Sequence, residues 1–349
     1  MKKLNIDLRK LYHIDEKVQV VNLLRYSNDG SRDDTKSRFE NEIELSITTF
    51  PDKQKTIRLY NLDFKRPVIV LCRIVTGDDL INLGKICDIL NRNVVNYKIV
   101  ITYLSSARSD RLFNSLQSVD LKVVVAALDT FCIESCGVYI LDTHNFKAVQ
   151  RMSRKPSLYT NISVYEDENH GNSVSIYTDI FANVFGLENR NRIVVVYPDK
   201  GSSRTKVWGC DTITFDKERN IETGEIISFK PIQYKQKDEH RIILSPSPRT
   251  VVETSEEDII KTVKLFNNVE YVVVDDLCDG GSTFINIAKW FENNGVNPKE
   301  RISLITPHMV QEWGVNRMCN TFKNVITTDS YDLWSKKIDR DNLIVATLY

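Results

Sequence analysis

The chain has 349 residues, a length typical of about two domains, and its 47 Lys and Arg side chains balance its 47 Asp and Glu side chains. This balance excludes a strongly basic protein that coats nucleic acid, and it excludes an acidic tail as the dominant feature. We therefore expect no nucleic-acid partner. Hydrophobic residues make up 42% and charged residues 27%, values that argue against a disordered chain. The longest apolar runs, such as 123–128, are far shorter than the ~18 residues of a membrane span, so we expect no membrane partner.

Apolar, β-branched segments alternate with helical patterns along the chain. The predicted strands cover 67–72, 98–104, 138–142, 192–197, 270–275, 301–306 and 324–327. Near-continuous apolar strands are typical of strands buried on both faces, and hence of parallel sheets covered by helices. The predicted helices cover 79–91, 119–132, 175–185, 257–266 and 283–293. The pattern therefore predicts an α/β protein with its strands in two sheets.

Two polar stretches interrupt this pattern. Residues 155–172 are predicted to join two domains, and residues 233–241 are predicted to be an inserted or exposed segment. The seven cysteines are odd in number and widely scattered, which favours buried thiols in a reducing compartment and argues against a zinc site. We therefore expect a cytoplasmic protein.

The strongest functional pattern lies at residues 272–284, where an apolar strand ends in two acids, turns through two glycines and opens a helix. In parallel α/β folds, ligands bind at the carboxyl ends of strands, and backbone N–H groups at a helix start bind phosphate. The glycines allow close backbone approach, the hydroxyls add donors, and adjacent carboxylates can accept hydrogen bonds from two ribose hydroxyls. The alternative is a capped helix that follows solvated acids. We favour a ribose-phosphate site built from Asp275, Asp276, Asp279, Gly280, Gly281, Ser282 and Thr283.

This segment resembles the ribose 5-phosphate-binding motif of the phosphoribosyltransferase-type fold. Five further segments, in the same order, resemble motifs of the ribose-phosphate pyrophosphokinase family. They are 49–52 (TFPD, similar to Arg-Phe-x-Asp-Gly-Glu), 103–111 (YLSSARSDR, similar to a loop ending in Ala-Arg-Gln-Asp-Arg), 141–144 (LDTH, similar to Asp-Leu-His), 196–204 (VYPDKGSSR, similar to Ser-Pro-Asp-x-Gly-Gly) and 215–219 (FDKER, similar to Asp-Lys-Arg-Arg). Together the six matches span most of residues 45–330.

The resemblance implies an α/β fold of two phosphoribosyltransferase-like domains, each a mostly parallel sheet flanked by helices. Residues 1–160 would form the first domain, residues 161–330 the second, with the ribose-phosphate loop, and residues 331–349 a tail that returns to the first domain. The family reaction moves the β,γ-diphosphoryl group of ATP to the anomeric hydroxyl of ribose 5-phosphate, with Mg²⁺ as cofactor and AMP as product, in nucleotide or NAD biosynthesis. Family active sites lie between the domains and borrow residues from a neighbouring subunit, so we expect a homo-oligomer.

The resemblance also implies roles for single residues. Lys217 and Arg219 keep the family's Lys-x-Arg spacing, which on a strand directs both side chains to one side, and they are expected to be the catalytic cations. His144 and Asp199 match magnesium-holding positions, although magnesium prefers oxygen ligands. The residues expected to bind ATP or diphosphate are Phe50, Asp52, Arg108, Asp110, Asp199, Lys200, Gly201, Ser202 and Arg204. The alternatives are a solvated charge run at 216–219, an ordinary histidine at 144 and a buried Phe50.

Departures from the family pattern bear on the acceptor. Ser109 stands where the family has glutamine, Glu218 where it has arginine, and Gly280 where it has threonine. Losing the threonine side chain is expected to open the phosphate loop on one side, and a roomier, less basic site suggests an acceptor larger than ribose 5-phosphate. ADP-ribose, whose terminal ribose has a free anomeric hydroxyl, therefore stands beside ribose 5-phosphate as a candidate acceptor. Two other functions stay open: a phosphoribosyltransferase that uses the activated sugar, and a non-catalytic relative.

Overall fold

A computed structural model describes residues 2–5, 17–26, 39–112, 115–133, 135–162, 164–167, 172–201, 210–219, 226–235, 254–265, 269–331 and 338–348. The chain forms two compact units. The N-terminal unit comprises Asp7–Ile162 with Leu348–Tyr349, and the C-terminal unit comprises Ser163–Thr347 with Met1–Ile6. Over the described ranges, none of the helices has the length and hydropathy that crossing a bilayer requires.

Strands and helices alternate through most of the described chain. The strands are β1 (Lys2–Asn5), β2 (Gln19–Asn22), β3 (Leu45–Thr49), β4 (Lys55–Leu59), β5 (Val68–Ile74), β6 (Tyr97–Leu104), β7 (Ser135–Ile140), β8 (Tyr159–Asn161), β9 (Val164–Asp167), β10 (Asn172–Ser175), β11 (Ile193–Tyr197), β12 (Asp211–Arg219), β13 (Ile226–Lys235), β14 (Glu270–Val274), β15 (Leu277–Cys278), β16 (Ile302–Ile305), β17 (His308–Met309), β18 (Asn324–Thr328) and β19 (Leu343–Thr347). The α-helices are α1 (Gly77–Arg92), α2 (Asp120–Phe131), α3 (Phe146–Met152), α4 (Ile176–Phe185), α5 (Glu256–Leu265), α6 (Ser282–Asn293), α7 (Pro298–Arg301) and α8 (Glu312–Thr321).

The N-terminal unit is built on a parallel sheet with the strand order β2-β5-β6-β7-β8. Helices α1, α2 and α3 connect successive strands from β5 to β8. Helix α1 begins with a capping box between Thr76 and Asp79, and it buries Leu83, Ile86 and Leu90 in the core. Strands β3 and β4 form a separate antiparallel hairpin. Because the parallel strands all run the same way, their connecting loops collect at the carboxyl edge of this sheet.

The C-terminal unit contains a sheet with the strand order β1-β19-β18-β16-β14-β11-β12-β13. All its pairs are parallel except the edge pair of β12 with β13. The central strands are apolar and buried, as for β14, where Tyr271–Val274 are fully buried. Helix α6 packs Phe284, Ile287 and Phe291 against this core. Burial on both faces explains why these strands are nearly continuous apolar runs in the sequence.

The predicted strands and helices are confirmed, with ends that differ by a few residues. The structure adds the hairpins β3–β4 and β9–β10, the antiparallel edge strand β13, and the outer strands β1 and β19. Residues 233–235 of the predicted polar insertion belong to β13, and residues 236–241 lie outside the described residues.

The prediction that residues 331–349 return to the first domain is wrong for β19. This strand lies between β18 and β1 in the C-terminal unit. Leu343 and Val345 are buried in the core of that unit, so the tail completes a sheet whose edge would otherwise be exposed.

Candidate active site

The loop between β14 and α6 carries the predicted ribose-phosphate residues, and neighbouring strands hold its backbone. The Asp275 N–H donates to the Ile305 carbonyl at 3.2 Å, and the His308 N–H donates to the Asp276 carbonyl at 3.1 Å. The Asp276 N–H also donates to Asp275 Oδ1 at 3.1 Å. Asp275, Asp276 and Asp279 are half-buried beyond the carboxyl end of β14, the edge where α/β sheets bind ligands.

Helix α6 starts without a side-chain cap. Its N-cap residue, Gly281, has φ 75° and ψ 13°, the left-handed conformation that glycine adopts without strain, and no side chain bonds to the first turn from this position. The first turn also contains no acidic residue, and it begins with Ser282 and Thr283. The alternative of a conventionally capped helix therefore does not describe this site. An uncapped helix start with two hydroxyls suits an anion such as a phosphate.

Helix α8 packs against the backbone of this loop, a contact that the sequence did not predict. A Cβ atom added to Gly314 would collide with the Asp279 carbonyl oxygen, so glycine allows the helix to lie directly against the loop backbone. Arg317 Nη1 donates to the Gly280 carbonyl at 3.1 Å. The unusual pair of residues, Trp313-Gly314, at the start of α8 was the available sequence signal.

The expected opening of the loop at residue 280 is wrong, because Trp313 occupies that space. A Cβ atom on Gly280 would collide with the six-membered ring of the Trp313 indole. A Cβ atom on Gly281 would likewise collide with the end of the Met318 side chain. Side chains of α8 thus occupy the space beside both glycines, and the left-handed backbone of Gly281 separately favours glycine there.

Two titratable groups at the loop, Cys278 and Tyr331, have raised pKa values, mainly because of burial and secondarily because of nearby carboxylates. Burial, followed by Asp275 and Asp279, raises the pKa of the Cys278 thiol to about 12. Burial and Asp279 also raise the pKa of the Tyr331 hydroxyl. Cys278 is therefore a neutral thiol near pH 7 and is unsuited to act as a nucleophile. The carboxylates give the site a polarity that favours hydroxyl donors such as those of ribose.

Lys217 and Asp199, predicted from separate motifs, form an ion pair with 2.5 Å between Nζ and Oδ2. Strands β11 and β12 are parallel neighbours, with Tyr197 opposite Thr214. Asp199 follows Tyr197 in the turn after β11, and Lys217 follows Thr214 further along β12. The turn after β11 therefore lies beside the end of β12. The Lys217 and Asp199 side chains are 22% and 27% exposed, so the pair is partly shielded from water.

Other members of this predicted cluster are described only in part. Lys200 and Gly201 lie in the turn after β11. The Arg219 backbone belongs to β12, and its side chain lies outside the described residues. Ser202 and Arg204 also lie outside the described residues. Their assigned roles stay predictions.

In the N-terminal unit, the loops after β6 and β7 are joined by a hydrogen bond. Asn145 Nδ2 donates to Asp110 Oδ2 at 2.5 Å, while Asn145 Oδ1 caps α3. Arg108 and His144, from the two loops that this bond joins, are both exposed. The structure thus brings the predicted ATP loop and the predicted magnesium-holding histidine to the same edge of this sheet.

Two buried hydroxyls at this edge lack a hydrogen-bond partner among the described residues. They are Ser106 Oγ in the loop after β6 and Thr143 Oγ1 in the loop after β7. Such groups are uncommon in native proteins, and at the carboxyl ends of strands they indicate a place for a polar ligand. Ser109 has a local role, because its Oγ accepts the Asp120 N–H at the start of α2 at 3.3 Å.

Phe50 and Asp52 lie at the tip of the β3–β4 hairpin. Phe50 is 46% exposed, so the alternative of a buried core residue is wrong. The turn is closed by the Phe50 N–H, which donates to the Gln54 carbonyl at 2.7 Å, and Asp52 Oδ1 accepts the Gln54 N–H at 3.0 Å. Asp52 thus stabilises the turn that displays the Phe50 ring.

No cluster of three or more His, Cys, Asp or Glu side chains arranged to hold a metal ion occurs in the described part of the chain. The donors present at the two edges are mostly carboxylates, with His144 as the exception. Magnesium in phosphoryl-transfer sites is commonly held by one or two carboxylates, water and the substrate phosphates. The donor set therefore fits an ion that arrives with a nucleotide better than a permanently bound one.

Comparison with known proteins identifies similar chains over nearly the whole length. No family model matches. The chain is 24% identical over 315 residues to the ribose-phosphate pyrophosphokinase of Pyrococcus abyssi, covering 88% of this chain and 92% of that protein. It is 25% identical over 306 residues to ribose-phosphate pyrophosphokinase 2 of Archaeoglobus fulgidus, covering 86% of this chain and 89% of that protein.

A solved structure has the same fold. It is the phosphoribosylpyrophosphate synthetase from Mycobacterium smegmatis, with a TM-score of 0.61 and 13% identity over 95% of each chain. The sequence similarity and the fold similarity thus extend over most of the chain.

Proposed function

Since the chain is a divergent member of the ribose-phosphate pyrophosphokinase family, we propose that it transfers the β,γ-diphosphoryl group of ATP to the anomeric hydroxyl of a ribose 5-phosphate moiety. The moiety is either free ribose 5-phosphate or the terminal ribose of ADP-ribose. The hydroxyl oxygen attacks the β-phosphorus, the bond between that phosphorus and the α,β-bridging oxygen breaks, and AMP leaves with the bridging oxygen. The hydroxyl proton is released. The products serve nucleotide or NAD biosynthesis.

The observation that carries this proposal is the arrangement at one edge of the C-terminal sheet. Strands β12, β11 and β14 are neighbours in that order. They bring the Lys217–Asp199 ion pair and the acidic loop that leads into α6 to the same edge. A diphosphoryl transfer to a sugar needs cations for the moving phosphates and acceptors for the sugar hydroxyls, and this edge supplies both.

The acceptor would bind to the loop after β14. The backbone and hydroxyls of Gly281, Ser282 and Thr283 would hold the 5-phosphate at the start of α6. Asp275 and Asp276 would accept hydrogen bonds from the ribose hydroxyls, which orients the anomeric carbon. A buried hydroxyl without a partner, Thr306 Oγ1, follows the adjacent strand β16 and adds a polar group to this edge.

Lys217 would stabilise the charge that develops on the transferring diphosphoryl group, together with Arg219. The ion pair with Asp199 holds the Lys217 ammonium beyond the end of β11 before phosphate arrives. When the Lys217 ammonium leaves Asp199 and binds phosphate, it would exchange one anionic partner for another. The lysine therefore need not bury an uncompensated charge at any step.

Asp199 and His144 are each proposed to hold magnesium bound to ATP or to the diphosphate, His144 directly or through water, and Mg²⁺ would neutralise phosphate charge when bound. ATP would bind through Arg108 and Asp110 in the loop after β6, with Lys200 and Gly201 near the diphosphate. Phe50, exposed on its hairpin, would contact adenine across a subunit boundary of a homo-oligomer. Glu218, in place of an arginine, makes this cluster less basic than the family pattern.

The test is to incubate the protein with Mg²⁺, ATP and either ribose 5-phosphate or ADP-ribose. AMP release is followed by chromatography, and the product diphosphate is followed by ³¹P NMR. We expect equimolar AMP and a new diphosphate signal attached to the anomeric carbon with at least one acceptor. If AMP forms with neither acceptor, or if it forms without that signal, the proposed function is refuted. Consumption of an activated ribose diphosphate in the presence of a base would instead indicate a phosphoribosyltransferase.

A further inference from the structure

Trp313 is a large apolar side chain that remains 56% exposed beside the phosphate loop. The rest of α8 follows the usual rule, with Gly314, Val315, Met318 and Cys319 buried. Trp290, in contrast, is 9% exposed and packs edge-on against Phe291. Core packing therefore accounts for Trp290 but leaves much of the Trp313 ring facing solvent.

The contact with Gly280 fixes where the Trp313 ring lies. The six-membered edge of the indole points at the Gly280 backbone, with Cζ2 3.0 Å and Cζ3 3.3 Å from the position of a Cβ atom there. Arg317, on the same helix, donates to the Gly280 carbonyl at 3.1 Å and adds positive charge at this side of the loop. An aromatic surface and a guanidinium thus lie together at the end of the loop, just before the start of α6.

We propose that Trp313 stacks on the nucleobase of an acceptor that extends beyond its 5-phosphate, as ADP-ribose does. The inference rests on the proposed function, which assigns the 5-phosphate to the start of α6. Ribose 5-phosphate ends at that phosphate and would leave the indole exposed. A nucleoside diphosphate attached to the ribose continues past the phosphate, with a second phosphate to meet Arg317 and a base to cover Trp313. Trp313 is then a specificity-determining residue for the larger acceptor.

The kinetic test compares the two acceptors in the wild-type protein and in Trp313→Ala, Trp313→Tyr and Phe64→Ala. Phe64 is an equally exposed aromatic, at 57%, outside the site segments, and serves as the matched control. We expect Trp313→Ala to lower the ratio of kcat/KM for ADP-ribose to kcat/KM for ribose 5-phosphate by ~10-fold, mainly through the KM for ADP-ribose. Trp313→Tyr should restore most of the ratio, because tyrosine also stacks, and Phe64→Ala should leave it unchanged.

Equal loss with both acceptors in Trp313→Ala would overturn the inference, because the indole would then only support the loop. An unchanged ratio would overturn it as well. A wild-type protein that uses ribose 5-phosphate alone would refute the inference while leaving the proposed function intact.

Fluorescence gives an independent measurement that does not depend on turnover. Titration of ADP-ribose without ATP should quench the tryptophan emission of the wild-type protein, because a stacked base quenches indole fluorescence. The quenching should be absent in Trp313→Phe and absent with ribose 5-phosphate. If the protein makes no AMP with any acceptor, the proposed function fails, and this titration alone decides the inference: quenching that requires Trp313 supports it, and no quenching overturns it.

Discussion

The substitution Gly314→Ala tests whether contact with α8 holds the loop after β14 (residues 275–281) in place. The new Cβ would collide with the Asp279 carbonyl oxygen and come within 3.4 Å of its carbonyl carbon, and because this neighbour is backbone it cannot rotate away. Relief requires a displacement of ~1 Å between α8 and the loop. Overpacking of this kind costs ~1–3 kcal/mol, against a gain of at most ~1 kcal/mol from the better helix propensity of alanine. We expect a net local destabilisation of ~1 kcal/mol.

Two measurements follow from that displacement. Amide hydrogen exchange in residues 275–283 should be about fivefold faster, and kcat/KM for AMP formation should fall by up to ~100-fold, as expected for a ~1 Å misplacement of a binding group. Gly77→Ala is the matched control, because Gly77 also lies in the first turn of a helix and has no atom within 4 Å of the new Cβ. Wild-type kinetics and exchange in Gly314→Ala would refute the argument that α8 holds the loop.

Lys217→Ala should lower kcat for AMP formation by ~10²–10³-fold, with a smaller effect on the KM of the acceptor. The control Lys230→Ala, at an exposed position of β13, should keep the wild-type activity. An unaltered rate in Lys217→Ala would exclude the catalytic role. Phe50→Ala should change the free energy of unfolding by less than ~0.5 kcal/mol, because the ring is exposed, but should raise the KM for ATP severalfold; an unchanged KM would argue against an adenine contact. Chelation of Mg²⁺ by EDTA should stop AMP formation and excess Mg²⁺ should restore it; activity that persists in EDTA would refute magnesium dependence. The pKa of the Cys278 thiol is about 12 in the folded protein and ~8.5 in the unfolded chain. The contribution of this thiol to the free energy of unfolding is therefore complete below pH ~8.5 and is lost as the pH rises towards 12. The urea concentration at the unfolding midpoint should therefore decrease as the pH rises above ~8.5, and it should decrease less steeply in Cys278→Ala. Equal pH dependence in the two proteins would contradict this assignment.

The sequence was sufficient where the site is made by consecutive residues. The buried strand β14, the acidic loop and the start of α6 all lie within residues 272–284, so their order alone predicts a phosphate-binding turn at the carboxyl end of a strand. The family resemblance was likewise visible in short collinear motifs, and it is confirmed by relatives similar along most of both chains. The roles of the individual residues stay predictions.

The sequence was not sufficient where a contact joins distant segments. The missing side chain at residue 280 predicts open space, whereas the Trp313 ring fills that space. The family resemblance implied a tail that returns to the first domain, whereas β19 pairs with β18 and β1 in the C-terminal unit, partners that its own sequence does not specify. The edge strand β1 was missed for the same reason, since its partner β19 lies at the other end of the chain.

The sequence by itself determined the α/β class, the buried strands and the local chemistry of the loop after β14, because strand burial and turn formation depend on neighbouring residues. Only the tertiary structure decided that Lys217 meets Asp199, and that a helix whose Arg317 lies 37 residues beyond Gly280 contacts the loop after β14. Such contacts arise from sheet order and side-chain packing, which no local pattern specifies. The glycine pair that marked the site in the sequence lies against side chains of that helix, and the tryptophan beside Gly280 is the residue that we propose bears on the choice of acceptor.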